Sequence, residues 1–172
     1  PGHGDTAEDS HYTLPAVHHD RARLDSVELL PFKRYIYDGY AGVMTGHLYV
    51  PALDKARNKP VSMSRAVVTD LLQKELGFRG LCFTDALAMK GATTRKSDNP
   101  SVMALLAGND ILLAPAAPIN DFAAVKEALE EGILDREEIE AKIIKILQYK
   151  YIAGLNDYRP VETKGLSERL NS

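Results

Sequence analysis

The sequence predicts an α/β protein built on a parallel sheet, and three observations predict it. Short apolar runs alternate with amphipathic helical stretches along the chain, the pattern of βαβ units. Each apolar run is followed by a polar or turn-forming segment: Thr45-Gly46-His47, then Thr84-Asp85, then Pro115. The chemistry therefore gathers at the carboxyl ends of the strands, where parallel sheets carry their sites. Only three such runs occur in 172 residues. Three strands with this many helices would leave a sheet edge and apolar helix faces uncovered. A closed (β/α)₈ TIM barrel needs eight strands and about 250 residues. The expected fold is the C-terminal part of such a barrel, over residues 1–155, with its N-terminal strands absent from this chain.

The elements follow in order. A helix is expected from His18 to Tyr37, with Leu24, Val27, Leu30 and Arg34 in register and Pro31 bending or restarting it. Gly42 to His47 is an apolar run that suits a buried strand. Val50 to Val61 contains Pro51 and Pro60 and reads as a loop. Ser64 is placed to cap a helix through Val67, Val68, Leu71, Leu72 and Leu76, stopped by Gly77. Arg79 to Thr84 is the second strand. Asn99 or Ser101 opens a helix closed by Gly108, and Asp110 to Ala114 is the third strand. Asn120 or Asp121 opens a helix to Glu131. Asp135 caps the last helix, with Glu138 completing a capping box and Ile139, Ile143, Ile146, Leu147 and Tyr151 forming its apolar face. Residues 156–172 lose the periodicity and read as a linker or C-terminal arm.

Composition narrows the function. Hydrophobic residues make up 45% and charged residues 26%, ordinary for a globular chain. A net charge of −3 argues against a nucleic-acid partner. No stretch approaches the ~18 apolar residues of a membrane span. The single cysteine, Cys82, lies in an apolar run and reads as a small buried hydrophobe.

Two segments carry chemistry. The chain opens with a glycine-rich loop, Pro1-Gly-His-Gly-Asp-Thr-Ala-Glu-Asp-Ser-His11, and the second strand stops at Asp85. A strand-end carboxylate facing a loop imidazole suits a nucleophile with its acid/base partner. An unperturbed histidine titrates near ~6.5 and can protonate a leaving oxygen, then activate water. An aspartate two residues earlier can accept the other ring N–H and fix the tautomer. The competing readings are structural: Asp85 as a helix cap before Ala86, His11 as a solvated loop residue. His18 and His19 read as solvated residues at a helix start. Asp5, Asp9, His3 and His11 match no standard zinc spacing, and no metal or other cofactor is expected.

At these residues the sequence resembles glycoside hydrolase family 3, and most its β-N-acetylglucosaminidase (β-hexosaminidase) branch. The resemblance rests on Pro1-Gly-His-Gly-Asp-Thr6, Asp9-Ser-His11 with Leu14-Pro15, Val43-Met-Thr-Gly-His47, Leu76-Gly-Phe-Arg-Gly80 and Thr84-Asp-Ala-Leu87 with Met89, in family order. It implies a TIM-barrel glycosidase of retaining mechanism that releases terminal β-linked N-acetylglucosamine, as from cell-wall or chitin-derived oligosaccharides. Asp85 is the implied nucleophile, His11 the acid/base and Asp9 its orienting partner. His3, His47 and Met89 are the implied substrate-side residues, with a structural role for His3 and His47 left open. The implied partners are the carbohydrate substrate and the missing N-terminal half of the barrel. The family's Lys-His-Phe ahead of Pro1 is absent here, so the isolated chain is expected to be inactive. A bacterial cytoplasm or cell envelope is the implied setting. The alternatives are a β-glucosidase-type member, a phosphorylase in which phosphate takes the place of water, and a non-catalytic carbohydrate-binding half-barrel. The Asp-x-His motif favours the amino-sugar branch over the glucosidase type.

Overall fold

The computed structural model describes residues 1–92 and 98–171. The first helical stretch is broken into α1 (Arg21–Arg23), a π-helical segment (Leu24–Glu28) and α2 (Leu30–Tyr37). Asp20 caps it, its side chain accepting from the Arg23 amide. The helix thus starts later than expected, and His18 and His19 lie outside it. The π turn also changes which residues point inward. The Leu29 amide bonds to the Leu24 carbonyl, five residues back, so Leu24 and Leu29 are buried while Val27 and Leu30 are exposed. The 3.6 pattern places Leu24 inward as found, but it puts Val27 and Leu30 in register where the wider turn brings Leu29 inward instead. Pro31 lies in the first turn of α2, where its missing N–H costs nothing.

Strand β1 (Gly42–Thr45) pairs in parallel with β2 (Leu81–Thr84), in the register Gly42 to Leu81 and Thr45 to Thr84. Between them run a 3₁₀ turn (Val61–Met63) and a π-helix (Ala66–Glu75). The Ser64 carbonyl accepts the first amides of that helix, but its hydroxyl donates to Asp54 at 2.5 Å instead of capping. Asp54 also accepts from the Ala56 amide and pairs with Lys59, which closes the intervening loop.

The expected third strand is reduced to one bridge, Phe83 to Ile111. The physical reason is a switch from backbone to side-chain partners. The amides of Asp110 and Ile111 both reach the Cys82 carbonyl. The Leu113 amide goes to the Thr84 hydroxyl, and the Cys82 amide to the Asp110 carboxylate. Ala114 then leaves the strand conformation at φ 39°.

Helix α3 (Pro100–Ala107) is capped by Asn99, whose side chain accepts from the amides of Ser101 and Val102, and it ends at Gly108 with φ 113°. Helix α4 (Pro118–Glu130) begins before the expected Asn120. Asp121 lies in its first turn and reaches back to the Ala117 amide. Helix α5 (Arg136–Ile152) is capped by Asp135 as expected, while Glu138 pairs with Arg65 instead of closing a capping box. Beyond it come a 3₁₀ turn (Leu155–Asp157) and a short exposed helix, α6 (Leu166–Leu170).

The π-helix divides the core. Val67 and Leu71 pack with Val17, Leu24, Leu29, Leu48, Val50 and Val61, while Val68 and Leu72 pack with Phe78, Cys82 and Ala107. By contrast, Ile143, Leu147 and Tyr151, expected on a buried face of α5, are exposed, as is Met44 in β1. Asn109 plugs the space between elements. Its amide donates to the carbonyls of Ser62 and Ala104, and its oxygen accepts from the Thr45 hydroxyl. Replacing Asn109 by Ala orphans those buried groups and is expected to cost about 2–3 kcal/mol. The check is urea denaturation, with a lower midpoint at unchanged slope.

Candidate active site

Parallel pairing delivers the site. β1 and β2 end on the same edge, and the chain after each turns there. The Asp85 amide donates to the Thr45 carbonyl at 2.9 Å, extending the ladder one residue past β2. Its Oδ1 accepts from the Ala86 amide at 2.7 Å, and the residue is half-buried. The turn is also tied to the 111–114 segment, with the Leu87 and Ala88 amides donating to the carbonyls of Leu113 and Ala114. Asp85 borders a cavity of about 250 Å³ that it shares with His3, Phe32, Met44, Thr45 and Gly46. The deeper part of that cavity is apolar, reaching Val67, Leu71 and Leu76, so its polar chemistry is confined to the rim.

The opening loop lies across the same rim. The His3 Nε2 lies 2.9 Å from the Ser10 hydroxyl, and its ring covers Gly46, where a Cβ would come within 2.8 Å of Cε1. Gly91 plays the same part below residues 10–13. A Cβ there would meet the Ser10 carbonyl at 2.8 Å and the Thr13 carbonyl at 2.9 Å. Both glycines are needed for close approach. The amides of Lys90 and Gly91 donate to the carbonyls of His11 and Ser10, which fastens the loop beside the segment that follows Asp85.

Asp9 and His11 form a pair. Asp9 Oδ1 lies 2.7 Å from His11 Nδ1 and also accepts the His11 amide at 2.9 Å. The amide bond is the larger cause, and the ring bond the second, holding the Asp9 carboxyl below its ordinary value. An ionised carboxylate only accepts, so Nδ1 carries the proton and Nε2 is left with its lone pair. The His11 side chain is 68% exposed, and neither it nor Asp9 borders the cavity that holds Asp85 and His3.

His47 is fully buried, with Nδ1 2.7 Å from the Ser62 hydroxyl and Nε2 3.1 Å from the Ala86 carbonyl. Burial pushes its imidazole below the ordinary histidine value. Met89 is buried, its amide donating to the same Ala86 carbonyl. Sequence reasoning did not single out Ser62, Ser10 or Gly91, because each acts through a contact distant along the chain. The only local signal was Ser10 inside Asp9-Ser-His11.

The other titratable residues of the loop separate from this site. His19 pairs with Asp5 and so is not a solvated helix-start residue, and Glu28 completes a cluster whose ligand atoms lie within 4.8 Å of one another. Glu28 is itself paired with Arg23. Among the described residues, no helix is long and apolar enough to cross a membrane.

Comparison with known proteins gives the family. Residues 1–149 match the model of the glycosyl hydrolase family 3 N terminal domain. The chain is 35% identical over 170 residues to β-hexosaminidase A of Pseudoalteromonas piscicida, covering 87% of this chain and 28% of that protein. It is 35% identical over 123 residues to a β-hexosaminidase of Chromobacterium violaceum, covering 69% of this chain and 32% of that protein. Among solved structures it is similar to a family 3 β-N-acetylglucosaminidase from Paenibacillus sp. str. FPU-7, at 36% identity and a TM-score of 0.84, over 94% of this chain and 31% of that one. The chain thus spans about a third or less of the length of these relatives.

The Asp9–His11 pair is testable by titration. Asp9 is expected to titrate below 3.8, so the contact strengthens as pH rises through that depressed value and is lost on acidification. His11→Ala should raise the midpoint only part of the way, because the larger contribution comes from the backbone amide. Carboxyl-carbon NMR of Asp9 in both proteins is the measurement, and an unchanged midpoint would count against the ring contact.

Proposed function

The chain belongs to glycosyl hydrolase family 3 and forms part of its (β/α)₈ barrel, and on that footing we propose that it carries the catalytic residues of a retaining β-N-acetylglucosaminidase. The observation that carries the reading is the held imidazole: Asp9 fixes the His11 ring through Nδ1 and leaves Nε2 for proton transfer, on a loop fastened beside the Asp85 segment. The similarity to β-hexosaminidases supports the amino-sugar branch.

The chemistry proceeds in two displacements. The Asp85 carboxylate attacks the sugar C1 while the C1–O bond to the leaving group breaks. His11, protonated on both ring nitrogens, gives its Nε2 proton to the departing oxygen. The product of this step is a glycosyl ester of Asp85. Neutral His11 then takes a proton from water as that water attacks C1. The ester bond breaks, the sugar leaves with its original anomeric configuration, and Asp85 and His11 return to their starting states. Asp9 stabilises the imidazolium in both directions. A histidine in the second role is never anionic, so it does not repel the Asp85 carboxylate as a second carboxylate would.

The remaining strand–helix units of the barrel belong, in this reading, to the rest of the protein. They would cover Met44 on β1 and the exposed Ile143, Leu147 and Tyr151 of α5. Residues 1–155 are then barrel and 156–172 a linker or arm, in keeping with the exposure of Tyr158, Val161 and Leu170. Substrate contacts from His3 at the rim would be completed by those other units.

Two substitutions in the complete gene product test the mechanism. Asp85→Asn should remove the covalent adduct formed with a fluorinated N-acetylglucosaminyl probe, read by intact mass and peptide mapping. An adduct on another carboxylate would displace Asp85 from the role. His11→Ala should slow glycosides with poor leaving groups by about 10²–10⁴-fold, while activated aryl glycosides suffer much less in the first step. Equal loss on both would count against His11 as the acid.

A further inference from the structure

We infer that His47 is a positioning residue for Asp85: its ring holds the Ala86 carbonyl and thereby fixes the turn on which the Asp85 carboxylate stands. The inference deepens the reading above and rests on Asp85 being the nucleophile.

The argument begins with access. His47 is 0% exposed, and both ring nitrogens are engaged by protein. No ring nitrogen is left for a sugar hydroxyl. The partners also fix the tautomer. A backbone carbonyl can only accept, so Nε2 carries the proton toward Ala86. Nδ1 must then accept from the Ser62 hydroxyl, which orients the ring from the opposite side.

Ala86 links this ring to the carboxylate. Its amide donates to Asp85 Oδ1 at 2.7 Å, and its carbonyl receives His47 Nε2 at 3.1 Å and the Met89 amide at 3.0 Å. With the Asp85 amide on the Thr45 carbonyl, the backbone is held on both sides of the Asp85 side chain. One residue therefore transmits the orientation of a buried ring to an acceptor oxygen of the nucleophile. His47 also lies where the His11 loop crosses. A Cβ at Gly91 would come within 3.0 Å of the His47 Cβ and within 2.9 Å or less of the Ser10 and Thr13 carbonyls. The same small region thus supports the turn after Asp85 and the loop before residue 13.

Charge agrees with this geometry. Burial opposes a protonated ring, and His3 adds to that opposition; the bond to Ala86 and the nearby Asp85 favour one but are outweighed, so the imidazole stays neutral. A neutral ring donates one bond to Ala86 and brings no positive charge beside Asp85.

The test uses the complete gene product and an aryl N-acetylglucosaminide, with pre-steady-state measurement of glycosyl-enzyme formation. His47→Phe, which fills the space but lacks the donor, is expected to slow that step by about 10–100-fold, as a small misplacement of a reacting group does. KM should stay within about twofold. His47→Gln, which restores an N–H near Nε2, should recover most of the rate, and Ser62→Ala should lose part of it. A raised KM at unchanged rate would overturn the inference in favour of direct substrate contact. Equal loss in the Phe and Gln variants, matched by equal loss of thermal stability, would overturn it in favour of packing. An unaffected His47→Phe enzyme overturns the inference and leaves the nucleophile reading intact, whereas a wild-type protein without turnover or adduct overturns both. Should His47→Phe fail to fold, ¹⁵N NMR of the His47 ring decides in the wild type: a proton on Nε2 supports the inference, and one on Nδ1 overturns it.

Discussion

The parallel pairing of β1 with β2 is the constraint on which the rest depends. Because the strands run in the same direction, Thr45 and Thr84 end side by side, and the residues after each are released on one edge of the sheet. That places the Thr45 carbonyl against the Asp85 amide and His47 against Ala86. An antiparallel pair would have sent one of these segments to the opposite edge. A shift of one residue in register would have turned each strand's side chains to the wrong face. The position of Asp85 is therefore fixed first by backbone geometry.

Side chains complete what the short ladder leaves open. Thr84 bonds to the Leu113 amide, Asp110 to the Cys82 amide, and Asn109 to Thr45, Ser62 and Ala104. These contacts tie the 110–114 segment to β2 without regular strand pairing. Asp110 is the costliest of them to bury, with a side chain only 2% exposed. Lys145 of α5 pairs with it at 2.8 Å and also reaches the Gly80 carbonyl. Removing either partner would leave a charge short of its counterpart, so the pair fixes where α5 docks more than it adds to stability. The barrel's floor is thus held by a charge pair, and its rim by hydroxyl and amide contacts.

Apolar surface accounts for the rest of the architecture. The described residues bury separate apolar clusters around the π-helix and α3, yet Met44 and one face of α5 stay exposed. Exposure of this kind on one strand and one helix is what a sector of a barrel presents to its neighbours. It agrees with a chain that spans 28% of a family member. In the proposed reading such neighbours would enclose the edge on which His11 stands highly exposed, whereas His47 is already completely buried by this chain.

Much of this was legible in the sequence, for reasons that differ by residue. The cap Asp135 and the stop at Gly108 are local effects, set by side chains and dihedrals within a few positions, and the sequence determined them, while it left the cap of α3 between Asn99 and Ser101. Apolar periodicity likewise determined the alternation of strand and helix, and Asp9-Ser-His11 determined its own contact across two residues. Leu24 was legible, but its inward partner Leu29 was not, because the π turn that selects it depends on packing against Leu48 and Val61. Nor was the loss of the third strand, where Thr84 and Asp110 compete with backbone partners. His47 shows the division most sharply. Its place after a strand was written in the sequence, but the engagement of both ring nitrogens depends on Ser62 and Ala86, which are distant in sequence. The sequence by itself determined the elements and the chemical groups each carries, since those follow from local sterics and periodicity. Tertiary structure alone decided which of those groups are buried, paired or free, because only packing across the parallel strands brings their partners within reach.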